Sequence, residues 1–474
     1  MMLQKGSSGE QTIIFYWQRK GWDQLNHKKA LEFADMKFST GQRMWRHRAI
    51  SSIPGGNGLL SKRPDRYVPD LWPTYYKKCA GVHVTDLDDN QFIDMAQMGI
   101  GSAILGYSDP ELTDAVCLAA RSGINCTLNC PEEVELAEKL LSLNPFAGGV
   151  RFARCGGEAM AVAVRIARAA VGRDKVAFSG YHGWSDWYLA ANIDDGDGLA
   201  QHLIPGLKPK GVPSSLRGTA IPFSYNDTDD FHRIMDQHPD VGVICVEGAR
   251  YDYPTQEFLS AIMQRADRQG VVVISDEITS GWRLTDGGVY KLNGFRPDIV
   301  VYAKALGGGY AISAVVGSHS VMNHAQDTFI SSTMWTERIG FVAALKTIEI
   351  LQRHQAWEHL VDIGTRIGRG WERLASKHNI KMQITDFKPL VTFKLGYGQE
   401  NDCLITLFIQ EMLERGYLAA PSIYVSFAHS IEIVDEYMEA VDEVFSILAD
   451  AIDSADVKSR LRSRPRSDSF SRLT

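Results

Sequence analysis

The chain has 474 residues, a formal net charge of −7 and 45% hydrophobic residues, a composition typical of a folded protein with one or two domains. The acidic balance excludes a strongly basic surface, so we expect no nucleic-acid partner. No stretch approaches the roughly 18 consecutive apolar residues of a membrane helix, and we therefore expect no membrane partner.

The cysteines and the N-terminus indicate the cellular compartment. Seven cysteines occur without the regular spacing of a disulfide framework. Cys126 and Cys130 are close in the sequence, but no second Cys or His pair follows at zinc-ligand spacing, and we predict no metal site. The N-terminus lacks the continuous apolar segment of a secretory signal. We therefore expect a cytoplasmic protein.

The two ends of the chain have the weakest core-forming pattern. Residues 1–45 are polar and aromatic without clear periodicity, and we interpret them as an N-terminal arm. Residues 456–474 are rich in Arg and Ser, which predicts a mobile basic tail. Such a tail can bind an anionic partner, although a solvated terminus is the more frequent role.

Between these ends, short apolar runs alternate with amphipathic helical patterns. This alternation predicts an α/β fold with a mostly parallel sheet covered by helices. Ligands in such folds bind at the carboxyl ends of the strands. We predict strands over 150–155, 175–180, 241–248, 271–277, 298–304 and 311–318, and helices over 158–172 and 256–270.

Two of these strand ends suit a flat, anionic ligand. Gly156 and Gly157 stand between a strand and a helix, where backbone N–H groups can approach a phosphate. Two glycines also fit any tight turn between a strand and a helix. Tyr181 follows the strand at 175–180 and can stack on a heterocycle, although an ordinary packed loop explains it equally well.

Two further strand ends carry charged side chains. Asp276 follows an apolar run, and a carboxylate there needs a cationic or hydrogen-bonding partner; capping of a following helix is the alternative. Lys304 ends the strand at 298–304 and is followed by three glycines at 307–309. Such a lysine can extend to solvent, or it can be a desolvated amine that forms a Schiff base.

Taken together, these features describe one ligand. A phosphorylated heterocycle with an aldehyde and a basic ring nitrogen needs an amine, an acid, an aromatic face and a group of N–H donors. Pyridoxal 5'-phosphate is such a molecule, and it acts as an electron sink when its ring nitrogen is protonated. The sequence therefore predicts a pyridoxal-phosphate enzyme.

The segments VVVISDEITSGWRL (271–284) and DIVVYAKALGGGYAISAVVG (298–317) resemble the signature of the class III aminotransferases. The resemblance extends from about residue 53 to about residue 450, and within the family it is closest to glutamate-1-semialdehyde 2,1-aminomutase. It implies fold type I, with a mostly parallel seven-stranded sheet and a smaller α+β domain, and a homodimer with shared active sites. The implied domains are the large domain at 106–360 and the two parts of the small domain at 46–105 and 361–455.

The resemblance also implies roles for individual residues. Lys304 matches the Schiff-base lysine, and Asp276 matches the partner of the pyridine nitrogen. Tyr181 matches the aromatic residue that stacks on the ring. The other implied cofactor contacts are Gly156 and Gly157 at the phosphate, Glu247 near the cofactor, and Thr333, which would reach the phosphate of the neighbouring subunit.

The segment at 57–63 differs from the aminomutase. Asn-Gly-Leu-Leu-Ser-Lys-Arg stands here in place of Asn-Ser-Pro-Val-Arg, which in the aminomutase presents groups to the substrate carboxylate. The nearby cations Arg63 and Arg66, together with Trp184, are candidate substrate contacts. A solvated charged loop explains the two arginines equally well.

An aminotransferase that moves an amino group from a donor to a carbonyl acceptor fits this pattern best. The acceptor is a keto acid, a semialdehyde or a keto-sugar, and the sequence does not choose among them. An aminomutase is the first alternative, and it would need no external amino donor. A non-catalytic binding protein is the second, but the intact Lys304 and Asp276 argue against it. A nucleotide-binding Rossmann protein is disfavoured because no G-x-G-x-x-G follows an early strand.

Overall fold

The computed structural model of the protein describes residues 40–194, 198–203 and 205–467. Residues 1–39 of the expected N-terminal arm and residues 468–474 of the expected basic tail lie outside the described residues. Within the described part, no helix is long and apolar enough to cross a membrane.

The described strands and helices alternate through the middle of the chain, as the sequence predicts. The strands are β1 Tyr76–Ala80, β2 His83–Asp86, β3 Gln91–Met95, β4 Gly149–Ala153, β5 Lys175–Ser179, β6 Ala220–Pro222, β7 Val241–Glu247, β8 Val272–Asp276, β9 Ile299–Tyr302, β10 Ser313–Gly317, β11 Met382–Ile384, β12 Leu390–Leu395, β13 Tyr417–Ala419 and β14 Ser422–Tyr424. The helices are α1 Thr40–Ser52, α2 Pro110–Arg121, α3 Pro131–Leu143, α4 Gly156–Val171, α5 Asp186–Leu189, α6 Thr228–Gln237, α7 Gln256–Gln269, α8 Tyr290–Asn293, α9 His319–Met322, α10 Arg338–His354, α11 Ala356–Lys377, α12 Asn401–Glu414, α13 Ile431–Asp453 and α14 Val457–Arg460.

A seven-stranded sheet with the order β4-β10-β9-β8-β7-β5-β6 forms the centre of the protein. Its strands from β9 to β6 run parallel, whereas β10 is antiparallel to both β4 and β9. Every residue of β7 and β8 is buried, because both strands lie inside the sheet and apolar side chains cover both of their faces. The prediction of an α/β fold around a mostly parallel sheet is confirmed.

The predicted elements of this sheet are present, with ends that differ by at most two residues. The six predicted strands correspond to β4, β5, β7, β8, β9 and β10, and the two predicted helices to α4 and α7. Helix α7 ends at Gly270, whose φ of 58° lies in the left-handed region that glycine adopts easily.

Two smaller sheets accompany the central one, and one of them joins early and late segments of the chain. The sheet β1-β2-β3-β13 joins early and late segments, because β13 pairs in parallel with β3. The antiparallel sheet β11-β12-β14 lies wholly in the later part. The α+β composition expected for the smaller domain is thus found in the same two regions of the chain.

The described part of the expected tail makes specific contacts. The Arg464 guanidinium is paired with Asp70, with Nη2 2.9 Å from Oδ1. The Ser467 N–H donates to the Asp65 carbonyl at 2.9 Å, and Arg466 is buried. Arg464 and Ser467 therefore contact the early part of the chain, whereas Arg462 is paired with Glu414 and Arg466 with Asp402 in the late part.

Candidate active site

A cavity of about 350 Å³ opens beside the ends of strands β5 and β9. We call it the Lys304 cavity, and its lining includes Gly156, Gly157, Tyr181, Trp184 and Lys304. These residues come from separate segments of the sequence, and the structure brings them together as the parallel sheet predicts.

The Lys304 side chain enters this cavity from a strained turn. Strand β9 ends at Tyr302, two residues earlier than predicted, and Lys304 begins a 3₁₀ turn. Its φ of 45° is unusual for a residue other than glycine, and such strain is concentrated at functional sites. The Lys304 Nζ donates to Thr279 Oγ1 at 2.8 Å, and none of the described carboxylates forms an ion pair with it. A neutral hydroxyl therefore positions the amine.

Asp276 ends strand β8 and is almost completely buried. Its Oδ2 lies 2.8 Å from His182 Nδ1, and its Oδ1 accepts the Ile278 N–H at 3.0 Å. No described α-helix begins directly after it, so the helix-capping alternative finds no support. The second imidazole nitrogen, Nε2, lies 3.2 Å from the Ser179 carbonyl. Asp276 and a carbonyl thus provide an acceptor for each nitrogen of His182.

The pKa of His182 reflects these contacts. Burial alone lowers the pKa of the imidazole, but the contacts with Cys245 and with the Asp276 carboxylate raise it well above its usual value. A protonated His182 would supply the cation that the buried carboxylate of Asp276 requires. The sequence predicts roles for Tyr181 and Trp184 in the segment 181–184 but none for His182. His182 could have been identified from the free-energy cost of burying an unpaired carboxylate at Asp276, because that cost requires a partner nearby.

The first turn of helix α4 forms one wall of the Lys304 cavity. The helix begins at Gly156, so both glycines belong to its first turn and do not precede it. The Glu158 side chain accepts the N–H groups of Arg154 and Cys155, each at 3.0 Å. A Cβ atom on Gly157 would lie 2.9 Å from the Trp184 indole nitrogen. The turn therefore presents backbone N–H groups at the positive end of a helix, with no room for a side chain.

Glu247 lies behind the aromatic wall of the cavity and does not line it. Its Oε2 accepts the Tyr181 N–H at 3.1 Å, which fixes the backbone that carries the ring. The Arg250 Cζ lies 5.6 Å from the centre of the Tyr181 ring, and its Nη1 lies 3.5 Å from Glu247 Oε1. Glu247 therefore positions both Tyr181 and Arg250.

Besides Asp276 and Glu247, three further predicted site residues do not line the Lys304 cavity. Thr333 is exposed and begins the 3₁₀ turn Thr333–Thr336. Arg63 is paired with Asp65, with Nη2 2.8 Å from Oδ2, and Arg66 Nη1 donates to the Ser467 carbonyl at 3.2 Å. Their predicted roles as cofactor and substrate contacts stay predictions.

A larger cavity of about 770 Å³ adjoins the first. The two cavities share Ser102, Gly309 and Tyr310, so a molecule can extend from one to the other. Asn57 and Lys62, from the segment that differs from the aminomutase, line the larger cavity. This segment therefore lies next to the Lys304 cavity, although neither Arg63 nor Arg66 reaches it.

The side chains of the Lys304 cavity fit pyridoxal phosphate. An amine, an aromatic ring and a helix N-terminus that begins with two glycines line one space, and the buried Asp276–His182 pair lies at the end of the neighbouring strand. Residues 67–446 match the model of the family described as "Aminotransferase class-III". The chain belongs to the class III aminotransferase family. Members of this family transfer amino groups with pyridoxal phosphate.

Known relatives of this class III aminotransferase have different substrates in their names. It is 30% identical to 3-aminobutyryl-CoA aminotransferase of Cloacimonas acidaminovorans, over 82% of this chain and 93% of the relative. It is 29% identical to glutamate-1-semialdehyde 2,1-aminomutase of Neisseria gonorrhoeae, over 85% of this chain and 98% of the relative. The solved PLP internal aldimine form of the FumI protein of Sphingopyxis sp. MTA144 shares the fold, with a TM-score of 0.80, 23% identity and coverage of 90% of this chain and 99% of that protein.

Proposed function

We propose that Lys304 of this aminotransferase holds pyridoxal phosphate and that Asp276 pairs with the ring nitrogen of the cofactor. The enzyme moves an amino group from an external donor to a carbonyl acceptor. The observation that carries the proposal is the presence of the Lys304 amine and the buried Asp276–His182 pair at neighbouring strand ends. A lysine that only extended to solvent would not need the buried pair of Asp276 and His182 nearby.

Each of these residues has a defined task. Pyridoxal phosphate, when bound, supplies an aldehyde for amines and a ring that withdraws electrons. Lys304 Nζ would hold the cofactor through its aldehyde, and the same nitrogen, once free, would take up and return the proton of the substrate carbon. The Thr279 hydroxyl orients Nζ. Asp276 holds the proton on the ring nitrogen, and His182 keeps Asp276 charged.

The remaining contacts hold the cofactor in place. Tyr181 packs against the ring, and its position depends on Glu247. The N–H groups of Gly156 and Gly157 bind the phosphate together with the positive end of helix α4. Because neither glycine carries a Cβ atom, no side chain of Gly156 or Gly157 would stand between the phosphate and the backbone.

The proposal includes a homodimer in which Thr333 contacts the cofactor of the partner subunit. Large apolar side chains are exposed near this turn, and extended apolar patches are typical of subunit interfaces. Phe329 is 84% exposed and Met334 is 54% exposed. A cytoplasmic location also belongs to the proposal, because all seven cysteines are free.

The requirement for an amino donor tests this function. The purified protein, saturated with pyridoxal phosphate, is incubated with glutamate-1-semialdehyde and with a panel of keto acids, aldehydes and keto-sugars. Each acceptor is tested with and without glutamate, alanine or a diamine, and the Lys304→Ala variant is the inactive control. Strict dependence on a donor supports the aminotransferase. Efficient donor-independent conversion of the semialdehyde would instead establish an aminomutase.

A further inference from the structure

Arg250 lies beside the aromatic wall of the Lys304 cavity. It follows strand β7 by three residues, and its guanidinium lies over the ring of Tyr181, which lines the cavity. Its side chain is 29% exposed, although it lines neither the Lys304 cavity nor the larger cavity beside it. The position places a cation next to the surface on which the cofactor ring is proposed to pack.

The Arg250 guanidinium has hydrogen-bonding capacity that its neighbours leave unused. Its contact with Glu247 is 3.5 Å long, whereas charge-assisted bonds between a cationic nitrogen and a carboxylate are typically about 2.7–2.9 Å. Its Nε is buried and has no hydrogen-bond partner among the described residues. A guanidinium carries five N–H donors in a planar fork. Because Nε itself is buried, a ligand carboxylate would pair with the exposed part of the guanidinium, beside its long contact with Glu247.

The neighbouring arginines are already committed to the protein backbone. Arg154 lines the Lys304 cavity but donates to the carbonyls of Met334, Ala311 and Glu337. Arg283 is completely buried and donates to the carbonyls of Thr279 and Gly101. Arg250 differs from both because its side chain is more exposed, at 29% against 11% for Arg154, and because none of the described backbone carbonyls accepts a hydrogen bond from it.

The surroundings of Arg250 carry an excess of positive charge. Lys304 Nζ lies 5.9 Å and Arg283 Cζ 5.2 Å from the centre of the Tyr424 ring. Burial alone raises the pKa of the Tyr424 hydroxyl, but the charges of Lys304, Arg250 and Arg283 outweigh burial and lower it. Asp276 does not offset this charge, because it is paired with His182. An anionic group on a substrate would balance it.

We infer that Arg250 binds a carboxylate of the substrate and so selects amino donors or acceptors that carry one. This inference rests on the proposed aminotransferase function and narrows its substrates to amino acids and keto acids. The planar fork of the guanidinium matches the two oxygens of a carboxylate, which gives both affinity and orientation. Arg250 is thus a residue that determines specificity, and the substrate roles of Arg63 and Arg66 stay predictions.

Binding of carboxylates that cannot react provides the first test. Titration calorimetry measures the affinity of the holoenzyme for propionate and for glutarate, in the original protein and in the Arg250→Gln and Arg250→Lys variants. We expect Arg250→Gln to weaken binding by about 10- to 100-fold, as expected for the loss of a charge-assisted pair. The affinity of the Arg250→Lys variant should lie between those of the original protein and of Arg250→Gln, because lysine keeps the positive charge but lacks the planar guanidinium fork. Arg296→Gln, at an exposed arginine paired with Asp267, should bind like the original protein.

Matched amino donors provide the second test. β-Alanine and propylamine differ only in the carboxylate, and their reaction with the bound cofactor is followed by its absorbance. Arg250→Gln should raise the concentration needed for half-maximal conversion by about 10- to 100-fold for β-alanine and leave that for propylamine within about twofold. Retention of the cofactor spectrum shows that the variant is folded.

The two tests separate this inference from the proposed function. If the original holoenzyme binds neither propionate nor glutarate, or if Arg250→Gln binds them equally well, the inference is wrong even though donors still convert the cofactor. Equal sensitivity of β-alanine and propylamine to Arg250→Gln would also overturn it. Failure of every donor to convert the cofactor would instead contradict the aminotransferase function itself.

Discussion

His182 Nδ1 lies 2.8 Å from Asp276 Oδ2 in a pair that is buried at the carboxyl edge of the central sheet. The pair connects the loop after strand β5 to the end of strand β8. Because Asp276 is almost inaccessible to solvent, its charge depends on this imidazole. The first two predictions below concern this relationship.

Replacing Asp276 by Asn removes the negative charge and keeps the shape of the side chain. Loss of a charge interaction that stabilises the transition state should lower turnover on the order of 100- to 1,000-fold. Cofactor should remain partly bound, because the Lys304 amine and the turn at Gly156 are unchanged. Steady-state rates and the absorbance of the bound cofactor measure the two effects. Asp267→Asn, at an exposed carboxylate, is the control, and turnover as high as in this control would contradict the role of Asp276.

Replacing His182 by Asn should lower turnover by about 10- to 100-fold, the usual effect of losing a partner that orients a functional group. The variant should also change the dependence of stability on pH. The folded-state pKa of His182 is raised above the unfolded value of about 6.5. The stability from the charged pair is therefore complete below about pH 6 and is lost as the pH rises through the folded-state pKa.

Denaturant unfolding between pH 6 and pH 10 measures this dependence. The free energy of unfolding of the original protein should exceed that of His182→Asn most at pH 6, and the difference should shrink as the pH rises. The comparison cancels the titration of groups that both proteins share. A difference that grows with pH would show that the imidazole is neutral in the folded protein.

Much of this site could be predicted from the sequence, because the end of each apolar strand is visible where its run of hydrophobic residues stops. The positions of Asp276, Tyr181 and Lys304 follow from the β-branched runs before them, and the parallel sheet brings these ends together. His182 could not be assigned in this way, because its role depends on a carboxylate 94 residues away. The same holds for Arg250, whose contact with the Tyr181 ring depends on the loop after β7 and not on any local pattern.

The segment at 57–66 shows the opposite case. Its cations resembled a substrate site in the sequence, but Arg63 is paired with Asp65, and Arg66 donates to the carbonyl of Ser467. The second contact joins residues 401 positions apart, and no local rule predicts it. The same contact holds the segment that ends at residue 467 against residues 65–66.

Mixed dimers test whether the active site is shared between subunits. Lys304→Ala chains and Thr333→Arg chains should each be inactive, because one lacks the amine and the other blocks the partner's phosphate site. After subunit exchange, one site of each mixed dimer has intact Lys304 and intact Thr333, and about one quarter of the original activity should return. Lys304→Ala mixed with Asp276→Asn is the control and should recover none, since both residues act within one subunit. If subunits exchange and the Thr333→Arg mixture stays inactive, Thr333 does not act across the interface.

Covalent labelling of Lys304 tests the central claim most directly. The protein is saturated with pyridoxal phosphate, reduced with borohydride and digested, and mass spectrometry locates the modified lysine. We expect a yellow protein before reduction and a single phosphopyridoxyl group on Lys304, with no label at any site in Lys304→Ala. A label on another lysine, or an unlabelled protein after saturation with the cofactor, would contradict the assignment of the active site.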